Sequence, residues 1–208
     1  MTSRIGFVGV GRMGANMARC LKDKGYNITA VQDHHVPAGE SLAKELSCEA
    51  AASPARVAEI SDIVLTVVTD DAAMDDIFSE TSPSSLLTHA KNRLFINFAT
   101  VDPETHIKAE ALVEAKGGTN LEALMASSIT QAREGTLYLM CGGKKSVFEK
   151  AGPLLEALSS KLLYIGLAGH AARVKALVNM VMNCNTAALA KGLGLGDGPG
   201  RDQTMPVT

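Results

Sequence analysis

Gly9-Val10-Gly11-Arg12-Met13-Gly14 constrains this chain more than any other stretch, because three glycines at that spacing separate an apolar run from a helical one. Ile5, Phe7 and Val8 predict a short strand, and Met13, Met17, Leu21 and Lys24 recur at helical spacing. Gly9 permits a sharp exit from the strand, Gly11 removes a side chain that would hold an anion off the backbone, and Gly14 lets helix and strand approach closely. The helix start then offers unpaired N–H groups and partial positive charge to a phosphate. The motif alone is also compatible with a plain glycine-rich turn in another α/β protein.

The surroundings favour a nucleotide. Gly25 is placed to end the helix, and Tyr26 to Asp33 forms a second apolar run that closes on a carboxylate about 20 residues past Gly14. A β-α-β unit presents such an acid to the ribose hydroxyls of a dinucleotide, favouring NAD; His34 and His35 beside it leave NADP open. Further alternation follows: a helix near 38–46, a Ser53-Pro54 helix start, an apolar strand over 62–68, a helix opened by Thr69-Asp70-Asp71, a strand over 93–98, and a helix over 104–116 capped from Asp102-Pro103. This order predicts a doubly wound, mainly parallel sheet of the Rossmann type. Ligands bind such sheets at the carboxyl ends of strands, so Gly9, Val10, Gly11, Arg12, Met13, Gly14, Asp33, Val68, Thr69 and Thr100 are the expected cofactor-binding residues.

The second half predicts strands near 118–124 and 136–141, a polar turn from Ser127-Ser128 to Gly135, an amphipathic segment over 145–158 broken or kinked at Gly152-Pro153, a short strand over 161–166, and one long helix from Gly169. The expected organisation is a dinucleotide-binding domain over 1–168, a long helix over 169–195 and an irregular tail over 196–208, where Gly192 to Gly200 interrupts the helical pattern.

Composition narrows the classes. Of 208 residues 46% are hydrophobic and 20% charged, enough for a packed core, and a net charge of -2 gives no reason to expect nucleic acid. No run approaches the roughly 20 apolar residues of a membrane-spanning helix, and the first strand begins too early for a signal peptide, so no membrane and a cytoplasmic location are expected. Cys20, Cys48, Cys141 and Cys184 are scattered, as for buried free thiols, and the five histidines form no ligand spacing, so no metal is expected.

Four ordered segments resemble the β-hydroxyacid dehydrogenases, the family of 3-hydroxyisobutyrate dehydrogenase and the tartronate and glyoxylate/succinic semialdehyde reductases, with 6-phosphogluconate dehydrogenase as a larger relative. Gly6 to Met17 is similar to the family's G-x-G-x-M-G-x-x-M opening. Ala99-Thr100-Val101-Asp102-Pro103 resembles its S-T-x-x-P loop, whose threonine lies near the nicotinamide. Glu122-Ala123 through Gly143 resembles its D-A-P-V-S-G-G…A-x-x-G-T-L…M-x-G-G segment, and Gly166 to Asn179 resembles its G-x-x-G-x-G-x-x-x-K-x-x-x-N. The resemblance implies hydride transfer between NAD and a small β-hydroxy acid or semialdehyde, with Lys175 as acid/base and Asn179 as substrate holder. Four residues apart, the two share one helix face. The lysine's pKa is expected to be lowered by burial and by the helix dipole.

Departures fall on the substrate side. The family's S-G-G aligns with Ala126-Ser127-Ser128, so the first hydroxyl is lost and two glycines gain side chains; Ser127 or Ser128 is the candidate replacement. Asn97 stands for an aspartate, Ala99 for the loop serine and Met180 for a second asparagine. Family members continue into a helical domain that closes the cleft and forms most of a dimer interface; here the chain reads as C-terminally truncated, with homo-oligomerisation expected through the helix's exposed apolar face. The competing expectation is a dinucleotide-binding module without turnover.

Overall fold

The structure is a computed structural model that describes residues 3–196. Its elements run β1 (Arg4–Val8), α1 (Arg12–Asp23), β2 (Asn27–Gln32), α2 (Val36–Leu46), β3 (Glu49–Ala50), α3 (Pro54–Ile60), β4 (Ile63–Thr66), α4 (Asp71–Ile77), a 3-10 turn (Leu86–His89), β5 (Leu94–Asn97), α5 (Pro103–Ala115), β6 (Thr119–Met125), α6 (Ile129–Glu134), β7 (Leu137–Gly143), α7 (Lys145–Leu158), β8 (Ser159–Gly166) and α8 (His170–Gly196). The eight strands form one sheet in the order β3-β2-β1-β4-β5-β6-β7-β8, parallel except where β6 meets β7. The doubly wound, mainly parallel Rossmann-like architecture expected from the strand–helix alternation is present, ending in the long helix.

Two apolar layers hold it together. On one face Ile5, Phe7 and Ile96 pack under Met17 and Leu21 of α1, Leu42 and Leu46 of α2, and Leu154, Leu155 and Leu158 of α7. On the other, Val8, Val64 and Phe95 pack under Val57 of α3, Met74 and Ile77 of α4, and Val113 of α5. Strands covered on both faces are apolar at nearly every position, which is why β4 and β5 read as hydrophobic runs up to their last residues, Thr66 and Asn97. The caps follow their chemistry: Ser53 Oγ accepts from Arg56 N, Asp70 from Ala73 N and Asp102 from Glu104 N, each at a helix start read from the sequence.

Strand register sets the working edge. Val8 lies level with Gln32 and Thr66, Thr66 with Asn97, and Asn97 with Glu122. The carboxyl ends of β2, β1, β4 and β5 therefore finish in one row. The sheet order reverses direction between β1 and β4, and a crevice opens where two such connections leave on opposite faces.

Several expectations are corrected. The polar turn before Gly135 is the helix α6: Ser128 Oγ accepts from Gln131 N, Gln131 Oε1 accepts from Ser128 N, and Gly135 ends it at φ 70°. That reciprocal cap is a helix start that Ser-x-x-Gln encodes. α7 is unbroken through Pro153, because Val147, Ala151, Leu154, Leu155 and Leu158 keep one buried stripe while Pro153 faces water. α8 continues through Gly192 and Gly194 to Gly196. Each glycine costs about 1 kcal/mol against alanine yet leaves the backbone hydrogen bonds intact, so the helix weakens there without ending. The rest of the expected irregular tail, 197–208, lies outside the described residues. Short β3 and the 3-10 turn carried no period long enough to read.

Candidate functional site

The loop after β1 is built around backbone contacts that a side chain would forbid. Gly9 has φ 85°, and a Cβ there would lie 2.5 Å from the Val67 carbonyl oxygen. A Cβ on Gly14 would run into the Gly9 carbonyl oxygen, with Val67 Cβ at 3.3 Å. Gly11 differs: nothing lies within 4 Å of its would-be Cβ, and as N-cap of α1 it supplies no side-chain acceptor to the first amides. The helix therefore starts with free N–H donors facing open space, the physical requirement for holding an anion.

Asp33 braces this loop. Its Oδ2 accepts the Val10 amide at 2.7 Å and its Oδ1 the His35 amide at 2.9 Å, and its side chain is only 7% exposed. His34 Nδ1 lies 3.1 Å from Oδ1, with the imidazole itself in solvent. The acid thus ties the end of β2 to the glycine turn while keeping further lone pairs for a hydroxyl.

Two clefts flank the loop. One, of about 320 Å³, is lined by Gly11, Arg12, Met13 and Gly14, by Val67, Val68 and Thr69 after β4, by Phe98, Ala99 and Thr100 after β5, and by Met125. The other, of about 480 Å³, lies over the ends of β2 and β3, between Asp33, His34, Val36, Gly39 and Ala50 to Ala52. Of the residues singled out in the sequence, Gly11 to Gly14, Val68, Thr69 and Thr100 line the first cleft and Asp33 the second. Gly9 and Val10 line neither; they shape the turn between them.

Lys175 and Asn179 line neither cleft, and two consecutive residues relate them to it. Met125 lines the first cleft, while Ala126 packs on the cluster of Leu124, Met140 and Ala171 together with Val174, the residue before Lys175. Lys175 is 9% exposed and Asn179 half-buried. Burial lowers the Lys175 pKa. The helix dipole is not needed for this: Lys175 sits beyond the first turn of α8, where the dipole has faded. Ser127 Oγ accepts from Tyr138 N at 2.8 Å and Ser128 Oγ caps α6, so each hydroxyl already serves the backbone with one lone pair and keeps its O–H donor and a second lone pair.

Behind the cleft lies a polar chain that the sequence reading passed over. Thr66 Oγ1 donates to Asn97 Oδ1 at 2.6 Å, and Asn97 Nδ2 donates to Asn120 Oδ1 at 2.9 Å, all buried. An aspartate at 97 could not make the second bond. Buried His106 and Glu122 were also missed; the available signal was a carboxylate flanked by Leu121, Ala123 and Leu124 within β6. Among the described residues no group of three or more His, Cys, Asp or Glu could hold a metal ion, and no helix is long and apolar enough to cross a membrane. Cys20 and Cys141 are buried, but Cys184 is exposed, against the expectation of buried thiols.

A profile described as the NAD binding domain of 6-phosphogluconate dehydrogenase matches residues 4–166. The chain belongs to that family. It is similar to glyoxylate/succinic semialdehyde reductase 1 of Arabidopsis thaliana, with 30% identity covering 94% of this chain and 67% of the relative. It is equally similar, at 30% identity over 96% of its length, to the cytokine-like nuclear factor N-PAC of Danio rerio, of which it spans 43%. In structure it resembles 3-hydroxyisobutyrate dehydrogenase of Mycobacterium tuberculosis, solved with L-serine, at a TM-score of 0.85 and 26% identity over 98% of this chain and 68% of that one. The family is that of an NAD-binding domain, in agreement with the dinucleotide cofactor expected from the sequence.

Proposed function

We propose that this chain is the cofactor-binding and acid/base portion of an oxidoreductase that moves a hydride between NAD and a small β-hydroxy acid or its semialdehyde. The observation that carries this is Lys175: a buried ammonium, its pKa lowered by desolvation, on a helix packed beside the strand end that lines the cleft.

The fit of NAD rests on this chain's own geometry. The free amides at Gly11 to Met13 and the open space over Gly11 suit the pyrophosphate, and Asp33 suits the adenosine ribose in the cleft over β2 and β3. Val68, Thr69 and Thr100 then line the nicotinamide end. Bound NAD supplies the hydride acceptor. In oxidation the neutral Lys175 amine takes the hydroxyl proton as the carbinol C–H electron pair leaves as hydride, forming the carbonyl; in reduction the ammonium returns that proton to the developing alkoxide. Asn179, one turn on, holds the substrate, with the O–H donors of Ser127 and Ser128 toward its carboxylate beside Ala126.

One observation favours a binding module without turnover: the Ser127 and Ser128 oxygens are engaged by backbone amides where the family's motif places two glycines. Steady-state NADH oxidation with glyoxylate, succinic semialdehyde and other short semialdehydes decides between the two, with Lys175→Ala as control. Turnover that Lys175→Ala loses supports the enzyme. NADH binding without turnover on any substrate overturns it.

A further inference from the structure

The carboxyl of Glu122 occupies a site built for it. Glu122 is 1% exposed and pairs in register with Gly142, where any side chain would collide with Glu122 Oε1 and lie 2.8 Å from the Leu167 carbonyl oxygen. Oε1 accepts the Ala171 amide at 2.9 Å, in the first turn of α8, the helix that bears Lys175. His106 of α5, fully buried, faces the same carboxyl. Its Nε2 lies 3.2 Å from the Ala99 carbonyl oxygen, next to Thr100. A carbonyl can only accept, so Nε2 carries the ring hydrogen and Nδ1 presents a lone pair. That lone pair lies 3.8 Å from Glu122 Oε2, and neither atom has a hydrogen-bond partner among the described residues. Two buried acceptors facing each other are costly unless a proton lies between them.

We propose that Glu122 keeps a proton and shares it with His106 Nδ1, making one buried bridge that ties the start of α8 to the loop bearing Thr100. Glu122 and His106 are thereby positioning residues: Lys175 and Thr100 sit on elements with no covalent closeness, and the bridge fixes one against the other. The importance of that spacing rests on the function proposed above; the bridge itself does not.

The electrostatics agree. Burial pushes Glu122 up to about 7; the amides of Ala171, Ala172 and Gly169 oppose this, and Glu110 of α5 adds to it. Burial pulls His106 down to about 4, against its bond to Ala99 and the charge of Asp71 on α4. On β7 the Cys141 thiol is pushed up to about 12, chiefly by burial and then by Glu122, so it stays neutral. No cation among these groups holds Glu122 ionised.

The sign follows from linkage. A carboxyl whose folded pKa is raised contributes stability that is present at low pH and lost as pH rises through about 7. His106, depressed, contributes stability that is complete above its ordinary value near 6.5 and lost as pH falls toward 4. His106 is common to wild type and Glu122→Gln, so across about pH 5.5 to 8 the difference between the two isolates Glu122. The test is urea unfolding across that window for the wild type and Glu122→Gln, with nitrogen NMR of the His106 ring. The glutamine carbonyl still accepts from Ala171, and its amide donates to Nδ1 at every pH. The wild-type midpoint should fall relative to the Glu122→Gln midpoint as pH rises, and both proteins should show the Nε2–H tautomer. Glu122→Leu, which cannot accept, should speed exchange of the Ala171 amide by at least roughly tenfold, the loss of about 1.4 kcal/mol of protection. Parallel midpoints in wild type and Glu122→Gln, or an Nδ1–H tautomer, would overturn the bridge. None of these readouts needs turnover, so a chain with no activity would defeat the proposed function and leave the bridge standing.

Discussion

A lysine at 9% exposure gives up solvation that no paired charge restores, and burial is what lowers its pKa. Replacing it with an apolar side chain of similar length should therefore stabilise the fold while removing the acid/base. Lys175→Met is expected to lower turnover by about 10²- to 10⁴-fold and to raise Tm by about 2–4 °C, the response to roughly 1 kcal/mol in a domain of this size. Calorimetry beside the NADH assay checks both signs, and a lower Tm would show that the ammonium is paired. Carbon NMR of the Lys175 ε position should show titration below the usual value near 10.4. Asp33 gives a second test at this scale. Both its oxygens already hold backbone amides, so Asp33→Asn, which keeps a single acceptor oxygen, must release one brace as well as its charge. Fluorescence titration should show NADH bound more tightly than NADPH by the wild type, and the ratio reduced by roughly tenfold, about 1.4 kcal/mol, in Asp33→Asn. Tighter NADPH binding by the wild type would remove the role given to Asp33.

Between residue and fold, the chain Thr66–Asn97–Asn120 stitches β4, β5 and β6 together behind the cleft. Asn120→Leu would leave the Asn97 amide unpaired in the core at a cost of about 1–3 kcal/mol, and thermal unfolding should detect it, whereas Ser128→Ala should lose only the cap of α6, about 1 kcal/mol. These two elements show what could be read in advance. Strand β5 was legible because Leu94, Phe95 and Ile96 are apolar and a capped helix follows at Asp102; the same reading could not see that Asn97, in that strand, bonds across to Asn120, since register is a property of pairing. Helix α6 carried its signal in Ser128 and Gln131, but six residues are too few for a period to stand out. The glycine loop was legible residue by residue because backbone geometry alone dictates glycine there. Glu122 and His106 were not, because two buried groups 16 positions apart in sequence mean nothing until the sheet brings them together.

At the scale of the whole molecule the sheet and its two helical layers are closed, but α8 runs on past them. Leu177 and Val181, Val178 and Met182, and Leu189 and Leu193 repeat four apart along a surface where each is 43–64% exposed. A monomer rarely leaves so long an apolar stripe in water, because each such side chain gains about 1.5–3 kcal/mol on full burial. The cores on either side of the sheet owe nothing to this stretch, so its exposure threatens solubility rather than folding. The chain is therefore expected to self-associate through α8, with sedimentation velocity showing mass that rises with concentration. Leu177→Glu combined with Val181→Glu should return it to a monomer with unchanged NADH affinity, since neither residue lines either cleft. A wild-type chain that stays monomeric at high concentration would mean that the stripe is covered in some other way, and a double variant that loses NADH binding would mean that the helix supports the cofactor cleft as well as Lys175.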